Sequence, residues 1–290
     1  MSLFNKNTPS NWTNHKIIEY LDEFIELYKE RPIKDNFGGM KFPHMFGLFF
    51  LLKNLKPDFV VESGIYKGQS TWLIEKTLPG VDILSLDPNL NQRKYISKSS
   101  KTKYSSLDFT EQDFSNISKN ALVFFDDHQN FYERLAYCHF FGFKNIIHED
   151  NYPALRGDTY SFKKIFSGNG LNDRRANLKK LIKSIFILSK HTLLKKLNKN
   201  YINKIQKYDL AIQDVKKSEN HFKNLKKIIE IYFEFPPIFK TKYTRWGDLW
   251  SEENYPTKEP LLTDEHIKKY ENIYQDSNSY TWMSYIKLVD

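Results

Sequence analysis

The sequence predicts an α/β fold: a doubly wound, mostly parallel sheet with a Lys-rich helical insertion before the last two strands. Three observations carry this expectation. Short apolar clusters of strand length recur between residues 58 and 150, helical patterns fall between several of them, and a glycine turn follows the first cluster.

In chain order, residues 16–30 (KIIEYLDEFIELYKE) place apolar residues at helical spacing and predict one surface helix. RPIKDNFGGMKFPHM reads as a loop punctuated by Pro and paired Gly, and FGLFFLLKNL as a buried helix leading into Pro57. The strand candidates are DFVVES (58–63), VDILSLD (81–87), KYSSLDF (103–109), ALVFFDD (121–127) and KNIIHED (144–150). QSTWLIEKTL and FYERLAYCHFFG supply helices between them. From about 160 to 228 the pattern turns to Lys-rich amphipathic helix. Strand signals return in IIEIYFEFPPIF (228–239) and YTWMSYIKLV (280–289), a hairpin-like pair closing the sheet. The expected organisation is N-terminal helices and a lid over 1–57, a core over 58–159, the basic insertion over 160–228 and closing strands over 229–290.

Hydrophobic residues at 40% and aromatics at 16% describe a globular chain of 290 residues. No apolar run approaches the roughly 18–20 residues a membrane span needs, and the N-terminal stretch lacks a signal-peptide pattern. Cys138 is the only cysteine, which excludes an intrachain disulfide and a Cys-based zinc site. A cytoplasmic location is the expectation. The net charge of +9 concentrates between Lys179 and Lys227. A solvated helical face explains it, while contact with RNA, a phosphorylated substrate or a membrane surface is the competing use. A lid or a homo-oligomer contact are further uses open to the insertion.

The chemistry begins in VVESGIYKGQSTW, residues 60–72. A buried strand ends on Glu62, turns through Gly64 and Gly68, and enters a helix that opens with Ser70. Ligands on doubly wound sheets bind at the carboxyl ends of strands. Gly64 lets a ligand approach the backbone, and Gly68 permits a tight strand-to-helix junction. The spacing E-x-G-x-x-x-G is not the dinucleotide fingerprint G-x-G-x-x-G, which argues against an NAD enzyme. Asp87 ends the second strand, where a carboxylate can accept two ribose hydroxyls.

Together, Glu62, Gly64, Gly68 and Asp87 resemble class I S-adenosylmethionine-dependent methyltransferases over about residues 58–152. The resemblance implies that Glu62 and the glycine turn, with Ser70, lie beside the methionine part of the cofactor and that Asp87 holds its ribose. Asp108, or Asp113 in its place, would meet the adenine. Carboxylates suit a ligand carrying a sulfonium and an ammonium. The bland alternative is a glycine turn that only joins strand to helix.

Two acidic pairs follow, Asp126-Asp127-His128 after the fourth strand and His148-Glu149-Asp150 at the fifth. Neighbouring strands lie about 4.8 Å apart, so up to four carboxylates come together. Such a group cannot stay fully ionised without a cation, and an all-oxygen set favours Mg²⁺ or Mn²⁺ over zinc. The arrangement is similar to metal-dependent O-methyltransferases of the cephalosporin-hydroxylase-like and macrolide-sugar group. That resemblance implies Asp127, Glu149 and Asp150 as metal ligands, with Asp126 as a substitute for Asp127. His128 is the expected general base. Helix capping by Asp127 or Asp150, and a core position for His148, are the competing readings.

The function implied is O-methylation of a sugar or other small-molecule hydroxyl. Tyr152, Arg156, Tyr160, Arg245 and Trp246 are candidates for the substrate mouth. The alternatives are an RNA or protein methyltransferase using the basic helices, and a non-catalytic interaction module.

Overall fold

The computed structural model describes residues 7–153, 156–166, 221–253 and 255–289. Most of the Lys-rich insertion, including its Lys179–Lys207 part, lies outside the described residues; residues 221–228 are helical. Among the described residues no helix is long and apolar enough to cross a membrane.

Seven strands form one sheet: β1 (Phe59–Ser63), β2 (Asp82–Leu86), β3 (Thr102–Ser105), β4 (Ala121–Phe125), β5 (Asn145–His148), β6 (Ile229–Glu234) and β7 (Ser284–Leu288). Their order is β3-β2-β1-β4-β5-β7-β6. The first five run parallel, and β7 is antiparallel to both β5 and β6. This is the doubly wound, mostly parallel sheet expected, of Rossmann-like order. Strand order reverses at β1/β4, the switch point where such sheets bind ligands.

The parallel strands are apolar on both faces because helices cover both. Val60, Ile83, Leu122, Phe124 and Ile147 face one core with α2 (Leu21–Lys29), α3 (Phe42–Leu55) and α4 (Gln69–Thr77). Val61, Val123, Phe125 and Ile146 face the other with α5 (Phe131–Phe141) and α6 (Phe162–Phe166). Asn130 caps α5 by accepting from the Tyr132 and Glu133 N–H groups, and left-handed Gly142 ends it.

Three expectations are corrected. The single helix over 16–30 is two, α1 (Asn14–Ile18) and α2, because the Tyr20 N–H bonds back three residues to Ile17 and tightens the chain there. The loop before α3 stops at Lys41, since Pro43 sits in the first helical turn, where its missing N–H costs nothing. The closing strands pair antiparallel but are no hairpin, because residues 235–283 intervene. Pro236 and Pro237 take the chain out of β6. A cluster of Trp250, Tyr255, Tyr280 and Trp282 packs along the return path.

Candidate functional site

The ends of four strands are level. Ser63 pairs with Leu86 and with Phe125, and Phe125 pairs with His148. The residues that follow, Gly64, Asp87, Asp126 and Glu149, therefore emerge along one edge of the sheet. Gly64 has φ +96°, and a Cβ there would sit 2.2 Å from the Asp126 carbonyl oxygen. Only glycine lets β1 and β4 close together at this point. Gly68 has φ +90° and leads directly into α4.

Asp87 braces this turn. Its Oδ2 accepts from the Ile65 and Tyr66 N–H groups at 3.0 and 2.9 Å, and its Oδ1 from Asn89 N–H at 2.8 Å. Glu62 and Ser70 sit deeper than expected. Glu62 is fully buried and its Oε2 accepts from Thr71 and Ser85 hydroxyls, each at 2.6 Å. Burial pushes its pKa up, against hydroxyl donors that include Ser70. Neither residue lines the cavity described below; they lock the start of α4 onto β1 and β2.

Asp108 and Asp127 are tied to one buried arginine. Arg134, on α5, grips Asp108 with both terminal nitrogens at 2.7 and 2.6 Å and donates from Nε to Asp127 at 2.9 Å. Arg134 lowers the Asp108 pKa. Asp127 also accepts from Ser63 Oγ at 2.7 Å. Burial raises its pKa, opposed by Arg134 and Ser63. Asp113 turns away, to the Ser115 N–H.

The acidic cluster is therefore not the one expected. Ligand atoms of Asp126, His128 and Asp150 lie within 4.8 Å of one another, whereas Asp127 is held by Arg134. Glu149 is drawn the other way. Its Oε1 is 2.5 Å from His44 Nδ1, and both side chains are buried. The Thr281 hydroxyl donates its one proton to the Glu149 carbonyl at 2.8 Å, so His44 Nε2 donates to Thr281 Oγ1 at 3.1 Å. Burial pushes the His44 pKa down to about 3.

Burial raises the pKa of Asp126, reinforced by Glu149 and Asp150, and raises that of Asp150, reinforced by Glu149. His128 sits half-exposed with a left-handed backbone, φ +55°. Its Nδ1 lies 3.0 Å from both Asp150 Oδ2 and Asp158 Oδ1. Burial depresses its pKa, but Asp150, Asp158 and Glu149 outweigh that and the net shift is upward. His148 belongs to the core, stacked on Phe131 at 3.6 Å.

A cavity of about 460 Å³ opens over this edge. Gly64, Asp87, Asp108, Asp126, Asp127 and His128 are among the residues that line it. It is of the size of small-molecule sites. The fit of a divalent cation is tested by buried atoms. Glu149 Oε2 and Asp150 Oδ2 are enclosed without a hydrogen-bond donor, although His128 Nδ1 approaches the latter at ion-pair distance. Hard oxygen donors in excess of their counter-charges suit Mg²⁺ or Mn²⁺.

Of the mouth candidates, Tyr152, Arg245 and Trp246 come together beside Asp150, and Arg156 pairs with Asp248 at 2.5 Å. Tyr160 goes elsewhere, to His221. Sequence reasoning missed Arg134, His44 and Asp158. Arg134 shares the buried stripe of α5 with Phe131, Leu135 and Cys138, and His44 lies in the apolar run of α3. A charge or imidazole inside an apolar stripe is the signal each offered. Asp158, in a loop, offered none.

No family profile and no curated protein matches the chain. Among solved structures it is similar to the plantazolicin methyltransferase BpumL with a pentazolic desmethylPZN analog and SAH. Identity there is 12%, over 94% of this chain and 90% of that one, with a TM-score of 0.38. It is also similar to the N160 form of CmcI with SAH, at 16% identity over 50% of this chain and 79% of that one, TM-score 0.36. An O-methyltransferase from Bacillus cereus in complex with SAH matches at 17% identity over 50% and 68%, TM-score 0.29. At such identities and overlaps these likenesses speak to neither substrate nor chemistry.

Proposed function

We propose that this chain is an S-adenosylmethionine-dependent, Mg²⁺- or Mn²⁺-assisted O-methyltransferase acting on a hydroxyl of a sugar or other small molecule. One observation carries the reading: a cavity at the switch point of the sheet shares Asp126 and His128 with an acidic cluster whose third member, Asp150, is buried. The cavity suits a cofactor and the cluster a cation, so two reactants would meet at their common edge. The sole cysteine fits a cytosolic setting.

The glycine turn at Gly64 and Gly68 and the Asp87 carboxylate would hold the cofactor, with Asp108 lining the same cavity. S-Adenosylmethionine, when bound, supplies a methyl group on a sulfonium. Asp126 and Asp150, joined by the free Oε2 of Glu149, would hold the cation, which supplies Lewis acidity toward the acceptor hydroxyl. Asp127 is given no catalytic role. Its charge is committed to Arg134 and Ser63.

His128 is the base. With Nδ1 directed at Asp150 and Asp158, the ring carries its proton there and leaves Nε2 as acceptor. Nε2 of His128 would accept the proton that the acceptor hydroxyl gives up on taking the methyl group the cofactor would supply. Much of the rate comes from alignment.

Calorimetric titration with S-adenosylhomocysteine, with Mg²⁺ and after chelation, tests this. Micromolar binding is the expected result. Absence of heat under both conditions would refute the methyltransferase reading.

A further inference from the structure

The acids after β5 also meet side chains that line no part of the cavity. Residues 243–249 form a tight turn. Tyr243 and Leu249 pair as an antiparallel bridge, Thr244 N–H donates to the Asp248 carbonyl, and Gly247 N–H donates to the Thr244 carbonyl, each at 2.9 Å. Arg245 and Trp246 are thus held at the tip. The Trp246 ring stands edge-on to Tyr152 at 5.7 Å and runs nearly parallel to Tyr255 and Trp282, both at 6.1 Å.

Arg245 Nη1 donates to the Tyr152 hydroxyl at 3.3 Å, with its guanidinium carbon 5.4 Å from that ring's centre. Tyr152 is buried and lies two residues past Asp150. Among the described residues no carboxylate lies within ion-pair distance of Arg245, which is exposed and makes this single hydrogen bond. A guanidinium has five N–H donors, so most of its capacity is unspent. The contrast with its neighbours is sharp. Arg156 is matched to Asp248 and to the Tyr255 hydroxyl at 2.9 Å, and Arg134 to two aspartates. A planar fork free of carboxylates and fixed beside an acidic site suits an incoming carboxylate or phosphate.

We propose that Arg245, with Tyr152 and Trp246, forms the acceptor subsite, and that the acceptor carries an anionic oxygen group close to the hydroxyl that is methylated. This rests on the methyltransferase reading above. Tyr152 lies two residues past Asp150 and carries Arg245 on its hydroxyl, so an anion held by Arg245 would sit on the Asp150 side of the acidic site. A sugar acid or a sugar phosphate carries an anionic group and a hydroxyl on one small molecule and suits such a pairing. The half-exposed Trp246 offers such a ring an apolar face.

The test begins with S-adenosylhomocysteine binding, measured by itself. Protein saturated with it and with Mg²⁺ is then titrated with D-glucuronate, D-glucose 6-phosphate and D-glucose at constant ionic strength. At least one anion should bind about tenfold tighter than glucose, the increment expected of a charge-assisted pair. Tighter glucuronate identifies a carboxylate acceptor, and tighter glucose 6-phosphate a phosphate. Arg245→Gln should reduce the preference below about threefold and leave S-adenosylhomocysteine affinity unchanged. Equal affinities, no binding of any of the three at about 10 mM, or a preference that survives Arg245→Gln overturns the subsite. Loss of S-adenosylhomocysteine binding in the unaltered protein overturns the underlying reading instead.

Discussion

Two aspartates adjacent in sequence have different fates at the end of β4. Successive side chains leave a strand toward opposite faces, so Asp126 turns to Asp150 and Asp127 to Ser63 and Arg134. Which of the pair joins the acidic cluster was not legible in FFDDHQN, because the choice is made by Arg134 seven residues on and by its helix. Asp126→Ala should weaken Mn²⁺ binding, read by its EPR signal, by tenfold or more, about what is lost when even a ligand's supporting partner is removed. Asp127→Ala should leave Mn²⁺ binding nearly unchanged and instead cost about 1–3 kcal/mol of stability in urea. The reverse pattern would restore the assignment expected from sequence. Asp108 gives a pH signature. Arg134 lowers its folded pKa below the ordinary 3.8, so its contribution is present above that value and is lost as pH falls toward the folded pKa. Urea midpoints between pH 6 and 3 should therefore fall less steeply for Asp108→Asn than for the unaltered protein. Asp108 is two-fifths exposed, so solvent screening keeps this difference small.

At the scale of elements, the junction of β1, α4 and β4 depends on a missing Cβ. Gly64→Ala would place a methyl 2.2 Å from the Asp126 carbonyl oxygen at φ +96°. A loss of about 3 kcal/mol or more is expected, from strain and overpacking together. Gly80 is the control, since it too has positive φ, +84°, but has open space where its Cβ would go. Gly80→Ala should cost only about 1–2 kcal/mol. Equal costs in urea unfolding would mean that β1 and β4 do not approach so closely. This junction was legible because E-x-G-x-x-x-G follows a buried apolar run, and β1, β2, β4 and β5 were legible for the same reason: continuous apolar clusters of strand length. What could not be read were features settled by tertiary packing. The α1–α2 break lies inside an unbroken helical period, and β6 and β7 find each other across residues 235–283. Glu62 looked like a ligand-facing acid because it ends the apolar run. Only the sheet shows that Thr71 and Ser85 enclose it.

The whole molecule is basic, with a formal charge of +9, yet its sheet edge gathers Asp126 and Asp150 beside Glu149, where burial and the neighbouring carboxylates oppose the ionisation of the two aspartates. A fold that holds such a group without a cation gives up stability locally, as functional sites commonly do. A cation should return it. At a hundredfold excess over its dissociation constant, Mg²⁺ contributes about 2.7 kcal/mol if it binds only the folded chain, a rise in Tm of about 5 °C for a domain of this size. Asp150→Ala separates this cause from general screening. The variant should lose the Mg²⁺-dependent rise, and in chelator it should melt no lower than the unaltered protein, because removing one buried carboxylate relieves the other two. Sodium chloride at matched ionic strength is the control, since screening acts on surface charges regardless of the cluster. If Mg²⁺ and matched sodium chloride shift Tm equally, or if Asp150→Ala keeps the rise, the carboxylates are compensated by protons and the cation has no place there.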